Sequence, residues 1–327
     1  MTVEQNTLYK NVIDMIGNTP MIELNNLDTG KCRLFGKLEL NNPTGSIKDR
    51  IALNMILTAE QEGKLKPGQL IVEATAGNTG LGLALVAAQK GYPLLIVMPD
   101  KMSMEKEYNL TAMGAKVIRT RSDVVKGHPE YYQDLAARIA EEKGGYFINQ
   151  FANPANVEAH RKTTGPEIWQ QLEGKVDAFV CGVGSGGTLS GVGGYLKSQS
   201  SAVDIVLADP EGSILAPLHN TGERIEPRRW LVEGIGEDFI PSICDLSLID
   251  HAYTIPDKRA MFAARELLAK EGIMAGSSTG TLLRAALDYC QQQTEAKNVV
   301  TLICDTGNRY LSKLYNDEWM KAQGFID

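Results

Sequence analysis

Three short stretches of this chain place reactive or anion-binding groups on turns. The first is Asn41-Asn42-Pro43-Thr44-Gly45-Ser46-Ile47-Lys48-Asp49-Arg50. It carries no apolar side chain before Ile47 apart from Pro43, so it reads as a loop that orders a lysine at the start of a helix. The positive end of that helix disfavours a further positive charge and leaves the Lys48 amine disposed to act as a nucleophile. A lysine in isolation is ordinarily a solvated surface group, so this feature alone assigns no chemistry.

The second stretch, Thr75-Ala76-Gly77-Asn78-Thr79-Gly80, follows an apolar run ending at Glu73 and opens a helical pattern near Leu81. Such a turn points backbone N–H groups and the positive helix end at an incoming anion, and a carboxylate would suit it. The third, Gly182-Val183-Gly184-Ser185-Gly186-Gly187-Thr188, lies between the apolar run 178–181 and a helix beginning near Leu189. Four glycines permit close backbone approach and the Ser185 and Thr188 hydroxyls add donors, which makes a phosphate monoester a natural guest. The same stretch also matches GxGxxG, with Asp209 about twenty residues further on, so its spacing leaves an NAD-dependent dehydrogenase open. No lysine follows in GK[ST] form, which argues against a nucleoside triphosphate.

The elements that must carry these turns are of α/β type. From about Leu70 the chain alternates short apolar runs with longer segments of helical period, the pattern of parallel βαβ units. Candidate strands are 70–73, 94–98, 116–119, 178–181, 204–208 and 299–304; candidate helices are 81–90, 131–143, 258–271 and 281–293. Gly91 and Gly272 stand just past helices, where a left-handed residue satisfies the last carbonyls. The stretch 210–229 is the least regular and reads as a surface excursion.

A chain of 327 residues, 43% hydrophobic and 22% charged, exceeds the size at which one core usually divides, so two domains are expected. Its formal charge of -7 disfavours nucleic-acid partners and points to a small-molecule substrate. No segment reaches the roughly eighteen apolar residues of a spanning helix, and the start has no leader pattern, so neither membrane nor export is expected. Cys32, Cys181, Cys244, Cys290 and Cys304 form no CxxC pair and their number is odd. Neither a disulfide framework nor a metal site is signalled, and a reducing cytoplasm fits. The four histidines, His128, His160, His219 and His251, read as structural.

At the three turns the chain resembles the cysteine synthase and cystathionine β-synthase family, which shares its fold with tryptophan synthase β-subunits and threonine dehydratases. The resemblance runs from Ile16-Gly17-Asn18-Thr19-Pro20 to Asp305, with motifs in family order: IGNTP, NPTGSIKDR, TAGNTG, MPDKMSMEK from Met98, NQFANPAN from Asn149, GSGGT from Gly184, EGIGEDFIP from Glu233 and GSSTG from Gly276. It implies two domains, each a twisted, mostly parallel sheet flanked by helices (fold type II of the pyridoxal-phosphate enzymes). A smaller mobile domain over 42–150 would bind the substrate carboxylate; 1–41 together with 151–327 would hold the cofactor phosphate. The cofactor implied is pyridoxal 5'-phosphate, and the reaction is replacement of the β-substituent of serine or O-acetylserine by a thiol.

By the same resemblance Lys48 bonds covalently to the cofactor and moves the substrate Cα proton, and Asn78 binds the cofactor's phenolic oxygen. Gly184, Ser185, Gly186, Gly187 and Thr188 hold its phosphate, and Ser278 meets its pyridine nitrogen. Thr75, Ala76, Gly77, Thr79 and Gln150 match the clasp for the substrate carboxylate, while Gly234, Ile235 and Gly236 line the thiol entrance. Ala74 and Ala76 stand where family members commonly have proline and serine, so one carboxylate-binding hydroxyl is missing. Glu237 stands where animal cystathionine β-synthases have tyrosine; with Asp238 it is a candidate to attract the amino group of homocysteine or cysteine. A homodimer is expected; haem binding and control by adenosylmethionine are not. A serine or threonine dehydratase of the same fold is the nearest alternative.

Overall fold

The computed structural model describes residues 8–75, 77–100, 102, 104–124 and 127–327. The chain divides into two compact units, one built mainly from Lys48–Phe147 and the other from Thr19–Asn41, Gly45–Ile47 and Ile148–Asp327.

The chain opens with β1 (Met21–Glu23) and β2 (Arg33–Lys37), an antiparallel pair belonging to the larger unit. The smaller unit then runs α1 (Lys48–Gln61), β3 (Ile71–Ala74), α2 (Asn78–Lys90), β4 (Leu94–Pro99), α3 (Met104–Ala112), β5 (Lys116–Thr120), α4 (Tyr132–Glu142) and β6 (Tyr146–Phe147). Its four strands pair in parallel in the order β5-β4-β3-β6. All six residues of β4 and all four of β3 are buried. That is why β4 reads as an unbroken apolar run and β3 as one interrupted only by the buried Glu73, as parallel strands covered on both faces do. Val72, Ala74, Leu95 and Val97 pack with Ala136, Ile139 and Ala140 of α4 on one face of this sheet.

The larger unit continues with α5 (Pro154–Ala159), α6 (Gly165–Gln171), β7 (Ala178–Cys181), α7 (Gly194–Gln199), β8 (Asp204–Pro210), α8 (Leu215–Thr221), β9 (His251–Ile255), α9 (Asp257–Glu271), α10 (Ser277–Gln291), β10 (Asn298–Leu302) and α11 (Asp317–Ala322). Its six-stranded sheet has the order β1-β2-β10-β7-β8-β9 and is parallel except at β1. Two π-helical turns, His160–Thr164 and Leu189–Gly193, lead into α6 and α7.

The α/β class with mostly parallel sheets agrees with the sequence reading, and Gly91 and Gly272 close α2 and α9 at φ of 76° and 72°. One expectation needs correction. The stretch 210–229 is no surface excursion in its first half: Ser213, Ile214, Leu215 and Ala216 are fully buried and α8 forms there. Residues 8–18 group with the smaller unit, where the Gly17 N–H donates to Asn42 Oδ1 at 2.9 Å. Residues 45–47 instead join the larger unit, because Ile47 donates to Cys304 O and Gly45 O accepts from Thr306 N.

Candidate active site

In the smaller unit two helix starts lie side by side. Lys48 begins α1 and Asn78 begins α2. The helices approach closely at Gly82, where a Cβ would meet Lys48 O at 3.0 Å and Ala52 Cβ at 3.1 Å. The lysine loop is tied from within, since the buried Asp49 carboxylate accepts from Thr44 N at 2.7 Å and from the Thr44 hydroxyl. At the second turn the N-cap is Gly77, which lends no side-chain oxygen to α2, and its N–H donates to Thr75 Oγ1 at 3.2 Å. Thr75 and Thr79 are buried, Asn78 is half-buried and Gly77 is exposed. Lys48, Thr75, Gly77, Asn78 and Thr79 thus belong to one neighbourhood of this unit, at the C-terminal end of β3. Ala76 lies outside the described residues.

The larger unit assembles the remaining predicted residues. The 182–188 loop leaves the end of β7, and the Gly236 N–H donates to Val183 O at 2.8 Å, so the entrance loop 234–237 is pinned to it. Glu233 N in turn donates to Ser277 Oγ at 3.0 Å, which places the start of α10, and with it the buried Ser278, at the same end of the sheet. Gln150 joins through Asn156, whose side-chain amide donates to Gln150 O and to Ser185 Oγ, each at 2.8 Å.

Glu237 is the perturbed acid of this cluster. Burial first, then the Asp238 and Asp209 carboxyls, push it up to about 9, so it is protonated at neutral pH rather than the anion expected from sequence. Burial also pushes Asp209 up to about 6, even though its Oδ2 accepts from Ala216 N at 2.8 Å. That hydrogen bond, with Asp209 fully buried, removes the dehydrogenase reading: the carboxylate holds the start of α8 and is not presented to a ribose.

A loop free of charged side chains, carrying two hydroxyls and room made by missing Cβ atoms, fits a phosphate monoester. A Cβ on Gly184 would lie 2.4 Å from Gly234 O, and one on Gly187 only 1.9 Å from Asn156 Oδ1. The loop therefore needs glycine for its packing as well as for access.

Residues 12–305 match the model of a family described as pyridoxal-phosphate dependent enzymes. The chain belongs to that family. It is 43% identical over 323 residues to a cystathionine beta-synthase of Apis mellifera, covering 98% of this chain and 64% of that protein. The chain spans less than two thirds of the length of that relative. It is 44% identical over 305 residues to a cysteine synthase of Staphylococcus aureus, covering 92% of this chain and 95% of that one. Among solved structures, a hydrogen sulfide-producing enzyme of Fusobacterium nucleatum superposes with a TM-score of 0.84 at 40% identity, over 93% of this chain and all of that one. As a member of this family the chain is a pyridoxal-phosphate enzyme, and the fold likeness agrees with the two-sheet architecture.

Two further residues contact the hydroxyls of the glycine-rich loop. The sequence reading passes over Asn156 and takes His160 as structural, yet Asn156 binds Ser185 and the His160 ring lies 3.2 Å from Thr188 Oγ1. The available signal was their spacing of four, which puts both on one helix face inside the stretch that runs on from NQFANPAN.

Proposed function

We propose that the enzyme replaces the β-substituent of serine or O-acetylserine with a thiol nucleophile, making cystathionine from homocysteine or cysteine from sulfide. The observation that carries this reading is the joining of the 182–188 loop to the 234–237 loop through Gly236 and Val183. A phosphate cradle and a co-substrate entrance in contact are what a two-substrate replacement requires, and a simple dehydratase has no use for the second. The identity to proteins named for both syntheses supports the same reading.

Pyridoxal phosphate, when bound, supplies the electron sink for charge developing at the substrate Cα. Lys48 anchors the cofactor through its amine and carries the proton between Cα and its own Nζ. Asn78 orients the ring through its phenolic oxygen, while Ser185 and Thr188 donate to the phosphate. Ser278 meets the pyridine nitrogen as a neutral hydroxyl, which holds it less firmly than an aspartate would and so limits charge spreading into the ring. Thr75, Ala76, Gly77, Thr79 and Gln150 bind and orient the substrate carboxylate. Gly234, Ile235 and Gly236 line the thiol path, with Glu237 meeting the amino group of an amino-acid thiol. The protein acts as a homodimer in the cytoplasm; its five scattered cysteines, with no CxxC pair, suit a reducing compartment.

Borohydride treatment of the coloured protein should bleach it and leave the reduced vitamin on the peptide containing Lys48, and Lys48→Ala should abolish both labelling and turnover. Serine and O-acetylserine, each offered with sulfide, cysteine or homocysteine, identify the pair by mass spectrometry of the products. Release of pyruvate at the same rate with and without thiol would overturn the replacement reading in favour of a dehydratase.

A further inference from the structure

Behind the glycine-rich loop of the larger unit lies a second polar layer that no role above uses. Asn156, His160 and Thr164 follow one another at steps of four through α5 and the π-helical turn His160–Thr164. They therefore share one face. Each is at most 1% exposed. The loop and the turn after it make room for this face: a Cβ on Gly187 would strike the Asn156 amide, and one on Gly191 would lie 2.4 Å from Val157 O and 2.7 Å from His160 Cβ. Side chains of this polarity are costly to bury unless their hydrogen bonds have a use.

The direction of those hydrogen bonds can be worked out. Gln150 O can only accept, so the amide nitrogen of Asn156 faces it, and the second N–H of that nitrogen goes to Ser185 Oγ at 2.8 Å. Ser185 is the acceptor there and keeps its own proton for another partner. His160 Nδ1 lies 2.9 Å from Thr164 Oγ1 and Nε2 lies 3.2 Å from Thr188 Oγ1. A neutral imidazole has one donor and one acceptor, so the two threonines must be opposite in sense. If Thr164 donates to Nδ1, then Nε2–H donates to Thr188 and the Thr188 proton is available to an anion. The reverse sense would turn oxygen lone pairs toward that anion. The loop has no lysine or arginine, so a phosphate there depends on the direction of these dipoles.

We propose that Asn156, and His160 backed by Thr164, are positioning residues that aim the Ser185 and Thr188 hydroxyl protons at the cofactor phosphate. Through Gln150 the same Asn156 also holds a residue of the substrate-carboxylate clasp. The inference rests on the assignment of Gly184, Ser185, Gly186, Gly187 and Thr188 to the phosphate.

The test compares two ligands on the full-length apoprotein: pyridoxal phosphate, and pyridoxal, which lacks the phosphate. Uptake is read by visible absorbance and the phosphorus-31 chemical shift. Asn156→Ala, His160→Leu and Thr164→Val should each weaken pyridoxal phosphate binding about tenfold, the scale of one hydrogen bond to a charged group. The same variants should change pyridoxal binding less than about twofold, within the noise of a site not contacting the mutated group. His160→Gln, which keeps a donor near Nε2, should regain most of the loss, and the phosphorus signal should move in Asn156→Ala. Equal losses for both ligands would mean a merely structural role and overturn the proposal. So would an unchanged preference for the phosphorylated ligand in these variants while Ser185→Ala lowers it. If Ser185→Ala also leaves that preference intact, the phosphate-loop assignment itself falls, and the proposal with it.

Discussion

A Cβ added to Gly184 would stand 2.4 Å from the carbonyl oxygen of Gly234, well inside van der Waals contact. The 182–188 and 234–237 loops, proposed to hold the phosphate and to line the thiol path, therefore pack backbone against backbone. Gly184→Ala should force the two loops apart at a cost of about 1–3 kcal/mol. Cofactor affinity and the KM for the thiol should both deteriorate in this variant, whereas an alanine at the exposed Gly77, which has open space around its Cα, should spare both the cofactor and the thiol KM. Titrating each apoprotein with pyridoxal phosphate and repeating the thiol saturation curve checks the contrast.

Glu237 makes stability and co-substrate binding pull in opposite directions. Its folded value of about 9 lies above the ordinary 4.5, so the stability it contributes is full below about pH 4.5 and is lost as pH rises through about 9. Glu237→Gln removes that loss, so the melting temperature of the variant should exceed the parent's by a margin that widens between about pH 5 and about pH 9. Above about pH 9, where the folded carboxyl ionises, the same substitution should also raise the KM for cysteine or homocysteine, whose ammonium group the carboxylate would meet, and leave the KM for sulfide alone. Calorimetry across the pH range, paired with kinetics on sulfide and cysteine, measures both halves. A margin that does not change with pH would show that Glu237 is ionised in the folded protein.

The loop that presents Lys48 owes its shape to Asp49, which bonds both the N–H and the hydroxyl of Thr44. Asp49→Asn keeps the size but presents only one carbonyl oxygen where two carboxylate oxygens now accept. Retained cofactor binding with a kcat lowered about tenfold is expected, since a misplaced amine loses proton transfer before it loses attachment. The ratio of borohydride-labelled Lys48 to bound cofactor, measured beside kcat, separates the two steps.

How much of this could be read without coordinates depended on how local the determinant was. Strands β3, β4, β7 and β8 announce themselves because they are buried and mostly apolar, with charged residues only at Glu73 in β3 and at Asp204 and Asp209 in β8. By contrast β2 contains Arg33, Gly36 and Lys37, and β9 begins with His251, so neither pattern stands out from a loop. The reading also starts α10 at 281, because Ser277, Ser278 and Thr279 look like turn residues, yet they form its first turn and are buried there. The glycines of the 182–188 loop were legible as a turn, while the contact of Gly184 with Gly234 is not, since fifty residues separate the partners. The links of Asn156 and His160 to the loop escaped for the same reason: their partners Ser185 and Thr188 lie on a different βα turn.

Lys37 tests the larger unit without touching the reaction. It lies on β2 with its side chain fully buried, its Nζ 2.6 Å from Thr19 O, 3.0 Å from Gln171 Oε1 and 2.7 Å from Glu167 Oε2. Lys37→Met matches the length of the stem but deletes the charge and leaves the mostly buried Glu167 carboxylate without this cation. Breaking one side of a buried pair in this way costs about 3 kcal/mol or more, because desolvation of the remaining charge is no longer offset. Lys37→Met combined with Glu167→Gln should therefore be the more stable of the two variants, recovering a substantial part of the loss. Urea unfolding with a shared m-value reads both. Cofactor content of the folded fraction should be unchanged, since Thr19 and Gln171, which bind the Lys37 amine, are not residues assigned to the cofactor. A double variant as unstable as the single one would mean that the lysine stabilises β2 through Thr19 and Gln171, and that its charge on Glu167 contributes little.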